Sequence, residues 1–229
     1  MGDLLPQERY IFAKQFAGDL EVKTWESKEM NAKAKVVCEN CNNGWMSNLE
    51  NEHAKPAMRD LIVSDSPVRL GPERIYSITV FAYKAAVIGH LLQRTVSLFF
   101  PASVFTFRNL RRFADKLALP TGIQVWVGCI GIDDPRNGVF RMRYSKTPSG
   151  AMNGFKLYTC TFGLGRFVFQ LVASEWTNGR QRRLSFPMLT QNPVWNGYAF
   201  QVWPMPPGGL VVDWPPVRQP ASPCYDPNA

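Results

Sequence analysis

Apolar side chains recur at helical spacing through the middle of the chain, and this pattern predicts a buried helix over residues 78–93. A second apolar face follows Thr106 and predicts a helix from Phe107 to Ala118, which Pro120 ends. A shorter helix is expected from Ala57 to Ile62, because a proline before it suits a first helical position. The apolar positions of the long helix are Ile78, Phe81, Ala82, Ala85, Ile88, Leu91 and Leu92.

Beyond residue 122 the apolar period changes to the alternation of β-strands. Gly, Pro and Asn separate the runs, and residues 163–166 (Gly-Leu-Gly-Arg) predict a hairpin turn. Near the N-terminus, residues 10–16 favour a short helix or strand and residues 22–25 a strand. The fold class expected is therefore α+β, with helices followed by an antiparallel sheet. The strands predicted for that sheet are Ile123–Ile132, Val139–Tyr144, Phe155–Phe162, Phe167–Ala173, Tyr198–Trp203 and Leu210–Val212.

Length and composition allow one sizeable core with a small appendage, since the chain has 229 residues and is 45% apolar. A loop is expected between Ser64 and Pro72. We predict three units: residues 1–63 as a partial metal-knuckle region, residues 74–216 as a helix-and-sheet domain, and residues 217–229 as a Pro-rich tail. The net charge of +8 favours a polyanionic partner, although a basic protein need not bind one.

The cysteines and the hydropathy of the chain predict the cellular compartment in which the protein resides. The five cysteines are unevenly spaced and no apolar leader precedes them, which argues against a secreted disulfide framework and predicts a reducing cytoplasm. The most apolar stretch, Ala85 to Phe105, contains His90, Gln93, Arg94 and Pro101, so no membrane span is expected. No motif for a small-molecule cofactor is evident, because residues 163–166 are too short for a phosphate loop.

Cys38 and Cys41 have the spacing of two zinc ligands held on a tight turn. The turn leads into a predicted helix that Asn42 or Asn43 can cap, with Trp45, Met46 and Leu49 on one face. The alternative is a pair of ordinary buried thiols at a helix start. The other cysteines are expected to be core or tail thiols, because free cysteine behaves mostly as a small buried apolar side chain. They are Cys129, Cys160 and Cys224.

The segment from Val37 to Glu50, with its Cys-Glu-Asn-Cys-Asn-Asn-Gly-Trp-Met core, resembles the second zinc knuckle of bacterial and phage HNH endonuclease-like proteins. Weaker agreements extend the resemblance over most of the chain after residue 36. They are Lys84-Ala85-Ala86-Val87, Gln124-Val125-Trp126-Val127-Gly128, Thr161-Phe162-Gly163, Phe169-Gln170, Trp203-Pro204 and Trp214-Pro215-Pro216. The resemblance implies a residual ββα-metal, treble-clef-like knuckle and helix at the start of the fold.

The resemblance also implies roles for individual residues. Cys38 and Cys41 match structural zinc ligands, and Asn42 matches an asparagine that orients the active site. In the family, an upstream C-x-x-C and an Asp-His or Glu-His precede the knuckle, and that His is the general base. This sequence has neither before Cys38, and its two histidines, His53 and His90, both follow the knuckle. The expectation is a truncated, catalytically defective chain with an incomplete zinc site and no productive catalytic metal.

Basic side chains form two candidate nucleic-acid surfaces that could contact phosphates without reading sequence. One lies on the helix predicted from Phe107 to Ala118, and the other in a loop after Trp176. The alternative is a solvated basic face. Two rival classes stay open beside the nuclease-like one: a non-enzymatic module that binds nucleic acid or protein, and a scaffold whose knuckle is only structural. The residues concerned are Arg108, Arg111, Arg112, Lys116, Arg180, Arg182 and Arg183.

Overall fold

A computed structural model describes residues 10–17, 20–27, 37–63, 68–92, 111, 123–129, 141–147, 155–165, 167–176 and 199–204. Helical structure begins just after Cys38 and runs through four short segments before a long helix. The helical elements are α1 (Glu39–Asn43), α2 (Trp45–Asn48), a π-helix (Leu49–Ala54), α3 (Lys55–Val63) and α4 (Pro72–Leu92).

The strands form two antiparallel sheets in the described part of the chain. The first is a hairpin of β1 (Tyr10–Ala17) and β2 (Leu20–Ser27). The second has five strands in the order β4-β5-β6-β3-β7, and every neighbouring pair runs antiparallel. Helices with an antiparallel sheet confirm the α+β class. The strands of the larger sheet are β3 (Ile123–Cys129), β4 (Arg141–Thr147), β5 (Phe155–Leu164), β6 (Phe167–Trp176) and β7 (Ala199–Trp203).

The core lies between α4 and one face of the larger sheet. Phe81 of α4 approaches Phe162 and Phe169 edge-on, with ring centroids 6.3 and 6.0 Å apart, and the two sheet rings stack on each other at 5.0 Å. Such aromatic pairs add to the free energy gained from the apolar area they bury. Tyr76 meets Trp203 of β7 in a similar edge contact at 5.5 Å, so the contacts of α4 extend across the sheet from β5 to β7.

Residues 46–62 contribute to the same core as α4. Met46, Met58 and Leu61 are fully buried and belong to one apolar cluster with Ile78, Phe81 and the sheet. The expected boundary between residues 63 and 74 stays a prediction. Because the helices on its two sides share buried surface, a fragment that starts after residue 63 would expose apolar side chains of α4.

Several predicted element boundaries differ from the structure. The long helix starts at Pro72 rather than at residue 78, since proline suits the first turn and the acidic Glu73 is favourable there. The hairpin turn at residues 163–166 is confirmed by the pairing of Leu164 with Phe167 and by Gly165, whose φ of 57° suits glycine. The helix predicted at residues 107–118 (apart from Arg111), the strand at residues 210–212 and the tail lie outside the described residues.

The structure adds one finding on membranes. Across the ranges described above, no helix combines the length and the apolar character that a membrane crossing requires.

Candidate metal-binding turn and its buried anchor

The Cys38 side chain caps helix α1. Its Sγ accepts a hydrogen bond from the Cys41 backbone N–H at 3.4 Å, and its carbonyl accepts one from the Asn42 N–H at 2.9 Å. The cap predicted at Asn42 or Asn43 is wrong, because the helix already begins at Glu39 with Cys38 in extended conformation before it. Cys38 thus takes the place that a serine or aspartate usually occupies, with sulfur as the acceptor.

Both thiols of the turn are accessible. Cys38 is exposed and Cys41 half-buried, and neither forms a disulfide, so they are not the pair of buried thiols considered above. A hydrogen bond from the Cys41 side chain, and then the one from its backbone N–H, lower the pKa of Cys38. The thiolate is the form of cysteine that binds metal. The turn therefore presents two sulfur donors, and the pKa of one of them is lowered by hydrogen bonds from Cys41.

Gly44 allows the chain to bend sharply between α1 and α2. Its N–H donates to the Asn40 carbonyl at 3.0 Å, and its own carbonyl accepts from the Asn48 N–H at 3.0 Å. A Cβ at this position would stand 2.6 Å from the Asn40 carbonyl oxygen, a distance that real contacts do not reach. Any larger residue must displace backbone, so the glycine couples the cysteine turn tightly to α2.

The predicted apolar face of the following helix is confirmed. Met46 is fully buried, Leu49 is 4% exposed, and Trp45 is half-buried against the core. The Trp45 Nε1 is nevertheless buried without a hydrogen-bond partner. This face holds the Cys38–Cys41 turn against the protein's core from one side.

Lys84 of α4 anchors the same segment through a polar contact. The residue is 4% exposed, and its Nζ forms an ion pair with the Glu50 carboxylate and donates to the Met46 carbonyl at 3.3 Å. Burial lowers the pKa of Lys84, and the charge and hydrogen bond of Glu50 oppose that effect. Sequence reasoning missed this pair. The signal in the sequence was a single lysine within the long, mainly apolar helix. A charged side chain buried at such a position needs a partner, which predicts a nearby carboxylate or carbonyl.

The described residues do not assemble a complete tetrahedral metal site. None of them groups three or more His, Cys, Asp or Glu side chains around one point. Cys160 is fully buried in β5, as expected of a core thiol, and His53 is exposed on the π-helix. The side chains of Cys129, His90 and Cys224 lie outside the described residues. Zinc thus fits the donor chemistry of two of the four ligands that a closed site requires.

The structure describes the predicted orienting residue, Asn42, but only one of the predicted basic residues, Arg111. Asn42 lies on α1 with an exposed side chain, whose Nδ2 donates to the Asn43 Oδ1 at 3.4 Å. Arg111 is exposed at a helical position. The other basic residues of the two candidate surfaces lie outside the described residues, so those surfaces stay predictions. They are Arg108, Arg112, Lys116, Arg180, Arg182 and Arg183.

Three segments that carry the resemblance meet in register on the larger sheet. Gln170 pairs across strands with both Thr161 and Trp126, and its Nε2 donates to the Thr161 Oγ1 at 2.9 Å. All three residues are buried, whereas the Trp126 Nε1 and the Gln170 Oε1 have no partner. Segments far apart in sequence therefore form one buried polar row that crosses β5, β6 and β3.

Comparisons with protein-family models, with curated proteins and with solved structures find no match to this chain.

Proposed function

We propose that this chain is an HNH endonuclease-like, nucleic-acid-associated protein whose Cys38–Cys41 turn is one half of a zinc knuckle. The observation that carries the proposal is the turn itself. Two accessible thiols lie on a tight helix start, one thiol accepts a backbone N–H, and the helix behind them is fixed to the core. Sulfur donors at this spacing suit a structural zinc ion.

The proposed activity is association with nucleic acid without cleavage. Hydrolysis of a phosphodiester requires a group that deprotonates water and a metal that stabilises the departing oxygen. Of the two histidines in these 229 residues, His53 lies exposed on the π-helix behind the turn, and the side chain of His90 lies outside the described residues. The net charge of +8 supports attraction to phosphates, which depends on charge and not on a catalytic base.

The test is an assay of the 229-residue chain on supercoiled plasmid and on single-stranded RNA, with Mg²⁺, Mn²⁺ or Zn²⁺. Loss of a general base costs about 10²–10⁴-fold in rate, so no cleavage above background is expected. His53→Ala is the matched variant. Metal-dependent nicking that His53→Ala abolishes would show that this histidine acts as the base, and would contradict the proposal.

Measurements of nucleic-acid binding distinguish the two rival classes. A non-enzymatic module would bind nucleic acid or a protein and also fail to cut, whereas a scaffold with a purely structural knuckle would bind no nucleic acid. Real phosphate binding weakens as salt rises, because bound counterions are released. Salt-dependent binding of duplex DNA therefore supports association with nucleic acid, and its absence at low salt favours the scaffold.

A further inference from the structure

Lys84 is a buried cation with no part in the chemistry proposed above. A lysine as buried as this one is uncommon unless it is paired, because removing its charge from water costs several kcal/mol. The Met46 carbonyl in α2 and the Glu50 carboxylate in the π-helix, which both contact its Nζ, come from the segment directly behind the cysteine turn. These two positions are four residues apart, so they lie on one side of the helical segment.

The Met46 carbonyl lies where the backbone hydrogen-bond pattern changes. The Met46 carbonyl accepts a hydrogen bond from the Leu49 N–H, which also donates to the Trp45 carbonyl. The Lys84 ammonium is a second donor to the Met46 carbonyl. From Leu49 the chain continues as a π-helix, in which the Lys55 N–H donates to the Glu50 carbonyl. A carbonyl has two lone pairs, so it can accept both donors. Wide helical turns of this kind often occur at functional sites.

We infer that Lys84 is a positioning residue that holds the Cys38–Cys41 turn in place through α2. The physical path is short. Lys84 contacts the Met46 carbonyl in α2, and Gly44 joins α2 to α1 without room for a Cβ. Cys41 lies in α1, and Cys38 caps its N-terminus. Apolar contacts of Trp45 and Cys41 hold the turn as well, but such contacts are non-directional. The hydrogen bond from Lys84 to the Met46 carbonyl is directional and therefore fixes the orientation of α2.

Hydrogen exchange tests the inference without any metal. In Lys84→Met, the Asn42, Gly44 and Asn48 amides should exchange about tenfold faster than in the parent, because their local opening is no longer opposed by the ammonium. Amides of β5 and β6 should keep their protection. Asp60→Asn is the control, since it removes the exposed Arg74–Asp60 pair, which also joins α4 to the preceding helix.

Two results would overturn the inference: unchanged exchange at residues 42–48, or a uniform rise over the whole chain, which indicates a general loss of stability. If Lys84→Met does not fold, the same exchange comparison is made with Lys84→Leu, which also removes the ammonium from the Met46 carbonyl.

A second experiment, titration of the parent chain and of Lys84→Met with zinc, rests on the proposed function. Zinc affinity should fall about tenfold in Lys84→Met if the turn carries ligands, as expected when a group that orients ligands is removed. If the parent chain takes up no zinc, the proposed knuckle fails, while the exchange experiment still decides the role of Lys84. Equal zinc affinity in the parent and in Lys84→Met, together with unchanged exchange, would reject the positioning role.

Discussion

Lys84 and Glu50 form an ion pair across 34 positions of sequence, and its two ends differ sharply in exposure. The lysine side chain is 5% exposed and the glutamate side chain 39% exposed. A carboxylate that reaches water loses little when its partner is removed, whereas a buried ammonium loses its main compensation. The pair is therefore asymmetric, and substitutions at its two ends should differ in their effect on stability.

Glu50→Gln should destabilise the protein more than Lys84→Met does. The first change leaves a buried charge unpaired and should lower the free energy of unfolding by about 3 kcal/mol. The second removes that charge and fills its space with an apolar chain, at a cost of about 1 kcal/mol or less. Asp60→Asn, at an exposed pair, should cost less than about 1 kcal/mol. Urea denaturation at pH 7 gives all three values, and a larger loss for Lys84→Met would show that the pair itself stabilises the fold.

Tyr83 should make stability fall at high pH. Burial raises the pKa of Tyr83, so above about pH 10 its phenol ionises in the unfolded chain before it does so in the folded one. The folded state then binds more protons than the unfolded state, and stability decreases as pH rises. Lys84, whose pKa is lowered by burial, acts in the opposite direction below its unfolded pKa of about 10.4.

Comparison with Tyr83→Phe isolates the phenol. Between about pH 10 and 11 the parent should lose about 1 kcal/mol more stability than Tyr83→Phe, because the variant lacks the ionising group. Denaturation curves at pH 7, 10 and 11 measure the difference, and the values at pH 7 correct for any other effect of removing the hydroxyl. Parallel losses in the two proteins would mean that Tyr83 ionises equally in both states.

Gly44→Ala tests the close approach between α1 and α2. The added methyl would lie 2.6 Å from the Asn40 carbonyl oxygen, so backbone must move and the cost should be about 1–3 kcal/mol. Gly71→Ala is the matched control, because a Cβ there meets nothing within 4 Å. Thermal unfolding of both variants checks the prediction. Equal transition temperatures would show that the bend at Gly44 is not closely packed.

Zinc content should be below one tightly held ion per molecule, because Cys38 and Cys41 supply two of the four ligands of a closed site. Metal analysis of the purified chain, after exhaustive dialysis, measures it. One stoichiometric zinc that disappears in Cys38→Ser would contradict this expectation and direct attention to the remaining cysteines and His53. Cys160→Ala is the control for removal of an unrelated buried thiol.

Local patterns predicted much of the fold. Alternation marked the strands from Ile123 onward, and helical spacing marked α4, because burial imposes both periods directly on side chains. The helix start at Cys38 was missed, since sulfur is an unusual cap and the neighbouring asparagines are common ones. The pairing of Lys84 with Glu50 was missed for a different reason. It depends on how α4 packs on the π-helix, and no local pattern encodes that geometry.

The most direct test of association with nucleic acid is the fluorescence anisotropy of a labelled DNA duplex, titrated with the full chain between about 50 and 200 mM salt, a range over which several phosphate contacts change affinity by orders of magnitude. Binding is expected at low salt, and its affinity should fall linearly with salt on a logarithmic scale. Arg111→Ala, which changes one exposed basic residue, should weaken binding modestly and reduce the salt slope by about 1 if it contacts a phosphate. No binding at the lowest salt, with the protein folded, would contradict association with nucleic acid.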